Sequence, residues 1–327
     1  MTAQVGMLPD GRRLHLHHGP IDLIVEAFGA PDEIRAAYRQ AADGFGDVLP
    51  TLVHELGVLR TPLSKNSPLP PAAGGEGRVR GAVAPEDSHL PAPVSRARGY
   101  DDGDPLVTGP VARRMVEACW PYRAGFITPM AAVAGAVADH VLALMLAGRN
   151  LERAYVNDGG DIAFHITPGH RLTCGLVADL AAPALDGTIA LTAGMPVRGL
   201  ATSGRARKGQ GGRSFSFGIA DAVTVLARDG AAADAAATVI ANAVDLPGHS
   251  AIVRGPASDI DPDSDLGDRR VTLDVGELSD AEIRTALARG VRRAEALRRA
   301  GLIFGAVLVL RRRFATVGAG LQRLAAA

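Results

Sequence analysis

The stretch Asn157-Asp158-Gly159-Gly160-Asp161-Ile162 is the most informative part of this 327-residue chain. It follows a β-type run at residues 153–156, and its paired glycines can adopt positive φ and let another molecule approach the backbone closely. The same composition is well suited to a plain two-residue turn between antiparallel strands. The stretch therefore predicts a hairpin turn. Its backbone either binds a ligand or only connects the two strands.

A second informative stretch is Ala233-Asp234-Ala235-Ala236-Ala237-Thr238. In a helix, residues four apart lie on one face, so the Asp234 carboxylate and the Thr238 hydroxyl would lie one turn apart. Hard oxygens in this arrangement suit a hard cation such as Mg²⁺. The alternative is that Asp234 caps the helix and that Thr238 only packs.

Between these two stretches lies Gly199-Leu200-Ala201-Thr202-Ser203-Gly204, which is predicted to be another turn, with two hydroxyls. Residues 205–213 follow it and form a basic, glycine-rich loop suited to an anionic ligand. A solvated loop is the alternative reading. The segment has neither a Gly-Lys-Ser/Thr sequence entering a helix nor the context of a dinucleotide fingerprint.

Taken in chain order, the three segments resemble the ApbE-like superfamily. This superfamily contains the flavin transferases that move FMN from FAD onto protein threonines. The resemblance is to an uncharacterised bacterial and archaeal branch of that superfamily. Three further segments carry it, at residues 126–135, 216–225 and 261–267, and it extends from about residue 11 to residue 309.

The resemblance implies an α+β fold, related to the T-fold, in which mixed, mainly antiparallel sheets pack against helices. It implies Mg²⁺ bound by Asp234, Thr238 and a backbone carbonyl near Ala134, and FAD or a related flavin as the cofactor. The cofactor-binding residues that it implies are Asn157, Gly159, Gly160, Asp161, Thr202, Ser203 and Gly204.

This chain departs from the transferase pattern at two places. The transferases carry a His-Ile-x-Asp-Pro-x-Thr-Gly segment where this chain has residues 216–221, and they carry a lysine before the glycine that matches Gly135. We therefore expect a protein that binds a flavin or related phosphate-bearing cofactor with Mg²⁺, with a transferase as one form of that function. The alternatives are a non-catalytic cofactor-binding or assembly protein and an enzyme of pterin-type cofactor biosynthesis.

The composition indicates which partners and which cellular compartment to expect. Lys plus Arg and Asp plus Glu number 35 each, which does not favour a nucleic-acid partner. Two cysteines suit a reducing compartment, and no signal-like segment is visible, so we expect a cytoplasmic protein. Asp139 and His140 interrupt the long apolar run, which argues against a membrane span. The expected partner is a small-molecule cofactor, and a homo-oligomer is left open.

Local patterns predict the main elements. An alternating pattern predicts a hairpin at residues 14–27, and small residues predict long helices at 128–147 and 231–243. Ser279 and Glu282 form a capping box that begins a basic helix. Residues 61–110 are rich in proline and glycine, so we predict a loop or insertion within a single domain spanning residues 1–327, with a domain linker as the alternative.

Overall fold

The computed structural model describes residues 2–64, 107–176, 187–204 and 215–318. Its strands are β1 (Gln4–Met7), β2 (Leu14–His18), β3 (Ile21–Gly29), β4 (Leu151–Asp158), β5 (Asp161–Ile166), β6 (Arg171–Leu176), β7 (Gly187–Thr192), β8 (Gly199–Ser203), β9 (Ala222–Ala227), β10 (Ile252–Pro256), β11 (Arg270–Val275), β12 (Gly305–Leu310) and β13 (Arg313–Val317). Its α-helices are α1 (Pro31–Phe45), α2 (Val48–His54), α3 (Leu56–Leu59), α4 (Pro110–Cys119), α5 (Val133–Leu146), α6 (Gly230–Ala243) and α7 (Asp280–Arg299).

Nine strands form one sheet in the order β1-β2-β3-β4-β5-β8-β9-β12-β13, and two separate hairpins pair β6 with β7 and β10 with β11. Every pairing among the described strands is antiparallel. The alternation read from the sequence is present in β2, where Leu14, Leu16 and His18 are buried and the residues between them are partly exposed. The expected α+β class, with antiparallel sheets packed against helices, is confirmed.

The two faces of the sheet are covered by different layers. One face packs against the helices in a large core that includes Leu16, Leu23, Val156 and Val225. On the other face, a smaller core of residues such as Phe164 and Leu226 is covered by Ile189 and Leu191 of the β6–β7 hairpin. Because both faces are covered at the centre, β9 and β12 are buried along their whole length, as their unbroken apolar sequences require.

Helices α5 and α6 approach each other unusually closely, because glycines lie where their N-terminal ends meet. A Cβ on Gly135 would lie 2.2 Å from the Gly230 carbonyl oxygen, and a Cβ on Gly230 would lie 2.9 Å from the Gly135 oxygen. Pro129–Leu146, which includes α5, has the length and hydropathy of a membrane-crossing helix. In this fold the helix packs among α1, α4, α6, β4 and β5, which is the environment of a core helix.

Several local predictions can be compared with the structure. The capping box is confirmed, since the Ser279 side chain accepts from the Glu282 N–H and the Glu282 carboxylate accepts from the Ser279 N–H. The interpretation of residues 199–204 as a turn is wrong, because Gly199–Ser203 forms β8 at the centre of the sheet. Most of the predicted insertion at residues 61–110 and the basic loop at 205–213 lie outside the described residues.

We predict that Gly135→Ala destabilises the protein by at least about 2 kcal/mol, because the added methyl group would collide with backbone and not with a movable side chain. Chemical denaturation, read by circular dichroism, measures the change in the free energy of unfolding.

Gly46→Ala is the matched control. Gly46 has helical dihedral angles, and a Cβ there would meet nothing within 4 Å, so this variant should be as stable as the wild type or slightly more stable. Equal stability of Gly135→Ala and Gly46→Ala would contradict the prediction, because it would show that α5 and α6 can separate without loss of free energy of unfolding.

Candidate functional site

The β4–β5 turn places two carboxylates side by side. Gly159 and Gly160 both have positive φ, +62° and +112°, as a two-residue hairpin turn requires. The Asn157 side-chain oxygen accepts a hydrogen bond of 2.8 Å from the Gly160 N–H and fixes the turn. Asp158 of β4 lies directly opposite Asp161 of β5, and on its other side it lies opposite Leu23 of β3, which is buried. Residues opposite each other on paired strands point to the same face of a sheet. Both carboxylates therefore point to the face of the sheet that the helices cover.

The end of β8 adds hydroxyl groups beside this turn. The Thr202 N–H donates a 3.0 Å hydrogen bond to Asp161 Oδ1, while the Thr202 hydroxyl is bonded to the Thr224 hydroxyl at 2.8 Å. The Ser203 hydroxyl accepts from the Thr238 hydroxyl of α6 at 3.5 Å. The chain is tightly packed at Gly204, where a Cβ would lie 2.4 Å from the Asp221 carbonyl oxygen. β8 thus links the β4–β5 turn to helix α6.

Asp234 lies on α6 and contacts the beginning of α5. Its Oδ2 accepts a 3.1 Å hydrogen bond from the Gly135 N–H, and the Ala134 N–H also bonds to its carboxylate. The N-cap of α6 is Asp229, whose side chain accepts from the Ala232 N–H at 2.7 Å. The alternative in which Asp234 caps its own helix is therefore wrong: it caps a neighbouring one. Ala134 meets Asp234 through its N–H in this structure.

A second carboxylate makes the reciprocal contact. Asp139, on α5, accepts from the Gly230 N–H at 2.9 Å and from the Ala231 N–H at 2.8 Å, at the beginning of α6. Each helix therefore caps the N-terminus of the other through an aspartate. Sequence reasoning treated Asp139 only as an interruption of an apolar run. Its position one turn after Gly135 was the signal that it missed.

The site brings three carboxylates into one electrostatic unit. Burial raises the pKa of Asp161 to about 7, and burial together with the Asp161 charge raises the pKa of Asp158 to about 7. Burial and then the charges of Asp161 and Asp158 raise the pKa of Asp234 well above its usual range, against the opposing hydrogen bonds from Gly135 and Ala134. Each of the three keeps part of its surface accessible to solvent.

Asp158 lies in the stretch 157–162, but the sequence did not predict it as a site residue. Its proximity to Asp234 depends on how α6 packs against the sheet, and no local pattern records that packing. Across the described ranges, none of Asp158, Asp161 and Asp234 forms an ion pair with Lys or Arg. The basic loop that follows Gly204 lies outside these ranges. The negative charge of the cluster is thus uncompensated by the described part of the chain.

The donor set fits a hard cation with a sparse protein shell. In the described part of the chain, no group of three or more His, Cys, Asp or Glu side chains is arranged to hold a metal ion, so a cation here would need other ligands as well. Asp234, Thr238 and Asp161 offer only oxygen atoms, the ligands that Mg²⁺ prefers, and Mg²⁺ commonly keeps waters or substrate phosphates in its remaining positions. The residues present therefore suit a cation shared with a phosphate-bearing ligand.

Comparison with known proteins gives partial matches to archaeal relatives. A UPF0280 protein of Methanothermobacter thermautotrophicus is 39% identical over 149 residues, which cover 44% of this chain and 53% of that protein. A UPF0280 protein of Methanopyrus kandleri is 40% identical over 133 residues, covering 40% of this chain and 48% of that protein. The chain spans about half the length of the curated relatives that it matches.

Solved structures with some likeness include the flavin transferase ApbE from Vibrio cholerae, with 13% identity, coverage of 98% of this chain and 99% of that chain, and a TM-score of 0.38. Another is the ApbE protein from Thermotoga maritima, with 18% identity, coverage of 62% and 54%, and a TM-score of 0.34. Likeness at this level does not extend to the individual residues of a site.

A family model matches most of the chain. The model for the family described as AbpE bacteria matches residues 5–93 and 90–318, so the match includes the β4–β5 turn, the end of β8 and helix α6. The resemblance read from the sequence is confirmed, and the chain belongs to this ApbE-like family.

Proposed function

We propose that the protein binds FAD or a related phosphate-bearing cofactor together with Mg²⁺ at the Asp158–Asp161–Asp234 cluster. The observation that carries this proposal is the cluster itself, three neighbouring carboxylates that no described Lys or Arg neutralises. Such a cluster needs protons or a cation, and a cation can bring a diphosphate with it. Membership of the ApbE-like family, which contains the flavin transferases, supports flavin as the ligand.

In this proposal, Asp234 and Thr238 hold the cation from one face of α6, and Asp161 approaches it from the β4–β5 turn. A bound Mg²⁺ would neutralise charge on the diphosphate. The backbone of Gly159 and Gly160 lies open, since a Cβ on either would meet nothing within 4 Å, and it can lie against a flat ring. Asn157 holds this turn, while Thr202, Ser203 and Gly204 form the wall beside it.

We predict that Asp234→Asn weakens FAD binding in the presence of Mg²⁺ by at least about tenfold, which corresponds to about 1.4 kcal/mol. The amide keeps the size of the side chain and can still accept a hydrogen bond from Gly135, but it loses the charge that attracts the cation. Titration calorimetry with FAD, carried out once in Mg²⁺ and once in EDTA, measures the change in affinity.

Asp229→Asn is the matched control, because it makes the same chemical change on the same helix and asparagine caps helices as well as aspartate does. Its affinity for FAD should equal that of the wild type. The metal assignment would be refuted if the wild type bound FAD tightly and if neither removal of Mg²⁺ nor Asp234→Asn changed the affinity.

A second candidate is a cofactor-binding or assembly protein that does not transfer FMN. The observation in its favour is the environment of residues 216–218, which replace the histidine-containing segment of the transferases. The Asn242 side-chain oxygen accepts from the Ser216 hydroxyl at 3.1 Å and from the Phe217 N–H at 2.9 Å. These hydrogen bonds attach residues 216–218 to α6. This segment offers no imidazole for proton transfer.

We predict that the protein binds FAD but does not attach FMN to a threonine-containing acceptor peptide. Loss of a proton-transfer group typically lowers a rate by roughly 10²–10⁴-fold. Incubation with FAD, Mg²⁺ and the peptide, followed by mass spectrometry, tests this. Efficient attachment that is abolished by Asp234→Ala would contradict the prediction and would establish a transferase.

A further inference from the structure

Asp139 is a carboxylate inside a mainly apolar helix, and it is only 9% exposed. Both of its oxygens are engaged, since Oδ1 accepts from the Gly230 N–H and Oδ2 accepts from the Ala231 N–H. A buried carboxylate persists in an apolar environment only when its hydrogen-bonding capacity is met, and the first turn of a helix supplies unpaired N–H groups and a favourable dipole. Asp139 therefore binds the N-terminus of α6 to the middle of α5.

The contacts of Asp139 and Asp234 form a closed ring. Asp139 holds Gly230, and one turn along α6 Asp234 holds Gly135, which lies one turn before Asp139 on α5. One helical turn rises about 5.4 Å, so the two segments have the same length. Sliding α6 along α5 would break both ends of this ring together. The position of the Asp234 carboxylate is consequently fixed by a residue that lies on another helix.

The two glycines remove the remaining freedom. Gly135 and Gly230 are in backbone contact, so the helices cannot move closer, and the two carboxylates prevent them from moving apart. Each oxygen of Asp139 already accepts a hydrogen bond from the first turn of α6. The role of Asp139 is to hold another residue in place.

We propose that Asp139 is the positioning residue of the cation site: by fixing the axial register of α6 on α5, it holds Asp234 in the place from which its carboxylate would bind the cation. This inference rests on the proposed function. Metal sites tolerate displacements of only about 0.5 Å, and loss of a group that orients a ligand typically costs about 10–100-fold in metal affinity. Asp139 acts in this way through Asp234, without touching the cation.

The test compares Asp139→Asn with the wild type, with Mn²⁺ as the probe and electron paramagnetic resonance as the measurement of bound metal. Asparagine keeps the size of the side chain but presents an NH₂ group to one of the two N–H donors, so one hydrogen bond becomes a repulsive contact. We expect Mn²⁺ to bind at least about tenfold more weakly. We also expect the Gly135 amide to exchange faster with solvent, because its acceptor on Asp234 shifts.

One control separates positioning from stability. Ser279→Ala removes the cap of α7, a loss of about 1 kcal/mol that involves no contact in the ring. This variant should leave Mn²⁺ affinity and Gly135 exchange within about twofold of the wild type. If Ser279→Ala weakens Mn²⁺ binding as much as Asp139→Asn does, the role of Asp139 is only structural and the inference is overturned.

The outcomes also distinguish this inference from the proposed function. If the wild type binds no Mn²⁺, the cation site is refuted, while Gly135 exchange still decides whether Asp139 positions Asp234. If Asp139→Asn binds Mn²⁺ as the wild type does, the inference alone fails. Should Asp139→Asn not fold, Gly230→Ala perturbs the same contact, because its methyl group would lie 3.2 Å from Asp139 Oδ1 and 2.9 Å from the Gly135 oxygen. That variant should shift both measurements in the same direction.

Discussion

The crossing of helices α5 and α6 at Gly135 and Gly230 is the contact on which the rest of the site depends. Backbone meets backbone there, and each helix receives a carboxylate from the other at its N-terminus. A core that is poor in aromatic residues and rich in alanine allows helices to pack this closely. The crossing brings Asp234 to the β4–β5 turn, so a packing constraint determines where the charges of the site lie.

The resulting site places three carboxylates close together, although two of them also bind backbone N–H groups of neighbouring elements. The raised pKa values of Asp158, Asp161 and Asp234 mean that ionising all three together is unfavourable in the folded state. A cluster of this kind lowers stability, and such clusters are common at functional sites. A cation would relieve the repulsion, and a diphosphate would complete its coordination.

Much of the fold could be predicted from local sequence. Alternation identified β2 and β3, the glycines identified the β4–β5 turn, and Ser279 with Glu282 marked the beginning of α7. β8 was missed because Gly199, Thr202 and Ser203 have the composition of a turn, whereas pairing with β9 along the whole of β8, and with β5 at Gly199, holds them in the sheet. The partners of Asp139 and Asp234 lie more than 90 residues away in the chain, and no periodic pattern records contacts of that kind.

The most direct test of the account is a crystal structure of the protein grown with FAD and Mn²⁺, with anomalous scattering used to locate the metal. The account predicts one manganese peak within about 2.0–2.6 Å of both an Asp234 oxygen and the Thr238 hydroxyl, with a phosphate oxygen of the ligand in its shell. A manganese peak bound elsewhere, with Asp234 still holding only the N-terminus of α5, would contradict it.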